Sequence, residues 1–64
     1  MTVVRFLKDY LKDCAKITIV AENEDILYTG DVASCKREII TGLYVKSISG
    51  LGDENDIIIT CYEG

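Results

Sequence analysis

Histidine, proline and tryptophan do not occur in this chain of 64 residues. Without histidine there is no Ser–His or Cys–His nucleophile pair, and no imidazole to hold a metal. Long apolar runs are missing too. The longest are three or four residues, such as Ile57-Ile58-Ile59. A bilayer span needs roughly 20. The stretch MTVVRFLKDYLKD threads charges through its apolar positions, which argues against a secretory leader. No glycine-rich loop runs into Lys-Ser or Lys-Thr, so there is no P-loop.

Cysteine is scarce and odd in number: Cys14, Cys35 and Cys61, with no C-x-x-C. A secreted disulfide scaffold of this size carries about four to eight. A reducing, cytoplasmic setting with free thiols is therefore expected. Cations are outnumbered, seven Lys and Arg against eleven Asp and Glu, for a net charge of −4. The imbalance is local. Residues 1–16 carry four cations and two anions, and residues 17–64 carry three and nine. Such a balance argues against direct binding of nucleic acid and permits a basic protein partner.

What is present suits one small domain, with apolar residues at 48%. Residues 3–14 are apolar at 3, 4, 6, 7, 10, 11 and 14 and charged at 5, 8, 9, 12 and 13. At about 100° per residue the two sets separate, which predicts an amphipathic helix. Thr2 suits its N-cap, and Arg5 and Asp9 are spaced to pair. The stripe Val3, Leu7, Tyr10, Cys14 is expected to pack on a sheet.

KITIVAE, residues 16–22, alternates as a strand does. Taking ENED as a four-residue loop into ILYTGDV, Ala21 faces Ile26, Ile19 faces Tyr28 and Ile17 faces Gly30. Residues 34–41, SCKREIIT, read as a short helix capped by Ser34, with Ile39 and Ile40 toward the core and Gly42 at C′. A second hairpin follows. With GDEN as its loop, Ile48 faces Ile59, Gly50 faces Ile57 and Lys46 faces Cys61, the lysine reaching to water. The predicted fold is α+β, a single domain over residues 1–64. Its order is α-β-β-α-β-β, with a four-stranded, mostly antiparallel sheet and the first helix on one face.

Chemistry has few places to reside. Cys35 would open a short helix beside Lys36 and Arg37, a setting that lowers a thiol pKa. No base stands near it in sequence, and the cysteine–five residues–arginine spacing fails, because position 41 is threonine. Cys14 and Cys61 read as small core residues. Asp53, Glu54, Asn55 and Asp56 are oxygen ligands on a glycine-bearing loop, but they lack the spacing of a calcium loop. Carboxylates at convex hairpin tips are also poorly placed as an acid–base pair. No catalytic residue, cofactor or metal is implied, and the expectation is a non-enzymatic protein.

The acidic tips remain. Glu22, Glu24 and Asp25 sit in the first turn, and Asp53, Glu54 and Asp56 in the second. Turn chemistry and solubility account for such residues. A sharper reading rests on residues 34–41, which span only about 12 Å as a helix. If they do not carry the chain back along the sheet, both tips point one way and form one acidic end. Such an end would be a docking site for a basic protein, or would imitate phosphates to a nucleic-acid-binding machine. A homodimer is compatible with either role, since a thin core gains from association.

The run ITIVAENEDILYTG, followed by VKSI and IIIT, resembles a pattern in small α+β accessory proteins of bacterial phages and mobile elements. In those, an amphipathic helix precedes a strand, an acidic turn and a Leu-Tyr-x-Gly segment. The resemblance implies a small α+β fold and an accessory role, and it carries over no catalytic residue. The short, acidic build is also similar to that of many anti-CRISPR proteins.

Overall fold

The computed structural model describes residues 1–50 and 57–64. Helix α1 spans Val3–Tyr10. Strands β1 (Lys16–Ala21) and β2 (Ile26–Asp31) follow, then a 3-10 turn over Val32–Ser34 and a short helix α2 (Arg37–Ile40). Strands β3 (Leu43–Ser49) and β4 (Ile57–Glu63) complete one sheet in the order β2-β1-β4-β3. Both hairpins are antiparallel, and the central pair, β1 and β4, is parallel. The domain is α+β, with α1 on one face of the sheet.

Helix α1 starts as its sequence dictates. The Arg5 amide donates to Thr2 Oγ1 at 3.2 Å, and Arg5 pairs with Asp9 at 3.2 Å. It ends earlier than the periodicity predicts. Leu11 is extended, and the Ala15 amide closes a turn onto the Lys12 carbonyl at 3.0 Å. Burial of Ala15 and its bond from the Val32 amide draw residues 11–15 into a tight link to β1. The buried stripe is Val3, Phe6 and Leu7. Tyr10 is 65% exposed and Cys14 is exposed, which corrects the expected placement of both.

The core is one layer between α1, the 32–42 connection and one face of the sheet. Ile17 and Ile19 from β1 meet Ile57, Ile59 and Cys61 from β4, with Leu7, Val32 and Ile40 above them. The central parallel pair supplies most of this floor. Parallel strands are ordinarily covered on a face by their crossover, and here the 32–42 segment does that. Its middle differs from the predicted helix. Cys35 and Lys36 are extended, Ser34 caps nothing, and Ile39 is 43% exposed while Ile40 is fully buried. Gly42 does take the left-handed conformation, φ +84°, just past α2.

Two bulges reset the predicted registers. The first loop has three residues rather than four, because the Ala21 amide bonds the Asp25 carbonyl at 2.9 Å. Glu24 takes a left-handed φ of 71° to close it. Ile26 then faces Val20, Leu27 is the extra residue, and Ile19 meets Tyr28 as expected. Ile26 is consequently 66% exposed, not on the core face. In the second hairpin Val45 faces Cys61, and Lys46 is the extra residue before Ser47 faces Thr60. An unbulged strand would have aimed Lys46 at the core. The bulge aims Val45 there instead and sends the ammonium to the other face.

Candidate functional site

The strand directions put the end of β1 and the start of β4 at opposite ends of the sheet. Ile17 lies beside Ile57, and Ala21 beside Cys61. The Glu22–Asp25 turn therefore leaves the sheet where β1 ends. Ser49 and Ile57, which flank residues 51–56, lie where β1 begins. The expectation of one acidic end is thus not supported by the strand ends, and the second tip itself is not described. The reason is the 32–42 connection. Its extended residues reach farther per residue than a helix does, so it carries the chain from the end of β2 to the opposite end of the sheet. Asp53, Glu54 and Asp56 lie outside the described residues.

Glu22, Glu24 and Asp25 are all exposed, and the turn is braced from within. Asn23 Nδ2 donates to Asp25 Oδ2 at 2.9 Å, and the Asp25 amide donates to Asn23 Oδ1 at 3.2 Å. Glu22 reaches across the end of the sheet to Lys46 Nζ at 3.0 Å. Both partners are more than half exposed, so the pair orients more than it stabilises.

Next to this turn a cleft of about 470 Å³ opens at the end of the sheet where β1 and β4 finish. Leu27, Ile39 and Leu43 form aliphatic walls, Cys61 lies at its base, and Glu22 and Glu63 stand at its rim. The elements explain the composition. The crossover must drop from α2 to the start of β3 here, which leaves Ile39 standing beside the strand ends. The bulge at Leu27 turns a second aliphatic side chain toward the same space. Glu22, Glu24, Asp25 and Glu63 stand at this end, where Lys46 pairs with Glu22. Glu63 has no ion-pair partner among the described residues. The site can take an aliphatic stem with a cationic tip. Sequence reasoning reached Glu22 but missed the cleft, because its aliphatic walls come from three separate elements, β2, α2 and β3.

Cys61 is a buried core residue as expected, while Cys35 and Cys14 are placed otherwise. Cys35 is 6% exposed. Burial pushes its thiol up, and the opposing Arg37 charge does not offset it. Cys61 is 1% exposed, donates to the Val20 carbonyl at 3.4 Å, and is pushed up by burial and then by the Glu22 charge. Neither is a lowered, reactive thiol. Cys14 is the exposed one. Among the described residues, no three Cys, Asp or Glu side chains gather as a metal would require, and no helix is long and apolar enough to cross a membrane. Comparison with family models, curated proteins and solved structures finds no match to this chain.

Proposed function

We propose that this protein is a non-enzymatic, cytoplasmic protein-binding accessory module of a phage or mobile element. Its cleft takes a lysine or arginine side chain from a basic partner protein. The cleft carries the reading: aliphatic walls at Leu27, Ile39 and Leu43 lie under a rim with Glu22 and Glu63. Long cationic side chains present the same order of chemistry, an apolar stem and a charged tip. A charge-assisted bond at the rim would give orientation, and burial of the stem would give affinity. The mobile-element setting rests on the sequence resemblance. The phosphate-imitating alternative has less support, since β1 ends at the end of the sheet opposite to where β4 begins.

A fluorescent, amidated hexapeptide of alternating leucine and lysine tests the reading by anisotropy. It should bind, and the same peptide with glutamate in place of lysine should not. Glu63→Gln should weaken binding by about threefold or more, and added salt should weaken it further. Equal binding of the glutamate peptide, or indifference to both Glu63→Gln and salt, would refute it.

A further inference from the structure

Lys46 stands where strand alternation alone would not put a cation beside the cleft. It is the extra residue of the bulge in β3, between Val45, which faces Cys61, and Ser47, which faces Thr60. Ala21 flanks Cys61 from the other side of β4. Glu22 and Lys46 therefore each follow a residue that lies beside the base of the cleft. Because β1 and β3 are both neighbours of β4, the two side chains meet across a whole strand, about 10 Å between outer strand axes. They meet at 3.0 Å, Nζ to Oε2. The partners are 24 residues apart in sequence, unlike Arg5 and Asp9, which pair within one helix. The Glu22 charge also helps to raise the Cys61 thiol, so its carboxylate stands close to the cleft base. One carboxylate is thus shared between the cleft and an internal ammonium. Glu63, the other rim acid, has no such partner among the described residues.

We infer that Lys46 is a built-in competitor for the cleft: its ammonium occupies Glu22 until a lysine or arginine of the partner displaces it. The inference rests on the cleft reading and adds its regulation. An incoming cation offers Glu22 the same chemistry that Lys46 already supplies. Binding at Glu22 therefore exchanges one ion pair for another, whereas binding at Glu63 makes a new one. A site that is open in only a fraction of molecules has its apparent affinity lowered by that fraction. A pair this exposed is weak, so the attenuation is about twofold to fivefold and not a lock. The same exposure makes the exchange reversible. More than half of each side chain meets solvent, so Lys46 swings into water without leaving a buried charge behind. The bulge is what permits this. Without it the residue at this position would point at the core, and no ammonium would reach Glu22 across β4.

Anisotropy titrations with the leucine–lysine hexapeptide at about 0.1 M salt test it. Lys46→Gln should tighten binding by about threefold. Lys46→Arg keeps the charge and should bind the peptide no more tightly than the wild type. Lys16→Gln removes an equal charge at the start of β1, about 20 Å from Glu22 and about two screening lengths away, and should leave binding unchanged. In a Glu22→Gln background, Lys46→Gln should no longer tighten binding, since the group it frees is gone. Circular dichroism of each variant checks that the fold survives. No tightening in folded Lys46→Gln, while the wild type binds and responds to Glu63→Gln, overturns the competitor and leaves the cleft reading standing. Equal tightening by Lys16→Gln, or tightening that survives Glu22→Gln, also overturns it, by reducing the effect to net charge. No binding by either the wild type or Lys46→Gln refutes the cleft reading itself, and the competitor with it.

Discussion

Residue by residue, position relative to the core decides chemistry more than local sequence does. Cys35 illustrates this. Its neighbours Lys36 and Arg37 predict a lowered thiol, but only 6% of it is exposed and burial raises the pKa instead. Native-state labelling with a thiol reagent should therefore modify Cys14 alone, and Cys14→Ser should remove that rapid phase. Cys35 and Cys61 should react only in denaturant. Their raised pKa values also link stability to pH. Below the usual thiol value of 9.0 both states keep the protons. Above it the unfolded chain releases them first, so stability is lost as pH rises toward the folded values. Urea midpoints between about pH 8 and about pH 10 should fall less steeply for Cys35→Ala with Cys61→Ala than for the wild type.

Gly30 is a second residue whose role is invisible in sequence. It holds φ at +144°, and a Cβ there would stand 2.8 Å from the Tyr28 hydroxyl. That hydroxyl is itself engaged, donating to the Asp31 carbonyl at 2.6 Å. Gly30→Ala should cost about 1–3 kcal/mol, by backbone strain and by displacing the tyrosine. Gly42→Ala meets only the strain, since nothing stands within 4 Å of the added carbon. Urea denaturation of the two variants should rank Gly30→Ala as the more damaging.

At the level of elements, the alternating and helical patterns locate every strand and both helices to within a few residues. They fail where tertiary contacts act on ends. Periodicity continues the first helix to Cys14, but burial of Ala15 stops it at Tyr10. Leu7 and Tyr10 share a stripe in sequence yet are 1% and 65% exposed. Leu7→Asp buries an unpaired charge and should unfold the domain, whose whole stability is roughly 5 kcal/mol. Tyr10→Asp loses only its stacking on Phe6, at 5.5 Å between centroids, and should cost about 1 kcal/mol. Thermal melts of both variants separate the two positions. The pairings Ile19–Tyr28 and Ile48–Ile59 are legible because the core face demands them. The bulges at Leu27 and Lys46 are not legible, because loop length and an extra residue compensate each other.

For the whole molecule, strand order was beyond the sequence pattern. Two similar hairpins can pack in several orders, and the length of the 32–42 connection does not say how much of it is helical. That one segment decides that β4 lies parallel to β1, that β1 ends at the end of the sheet opposite to where β4 begins, and that Ile39 lines a cleft. Only Glu22 of the cleft stood out beforehand, through its charge in a turn. Glu63 and the aliphatic walls become a site only once four elements converge. The most direct measurement of that site is an amide chemical-shift titration with the leucine–lysine hexapeptide. The largest shifts should fall on Glu22, Leu27, Ile39, Leu43, Tyr62 and Glu63, with little change in α1. Shifts centred on α1 or on the opposite sheet face around Ile58, with those six amides unmoved, would contradict a cation-binding cleft.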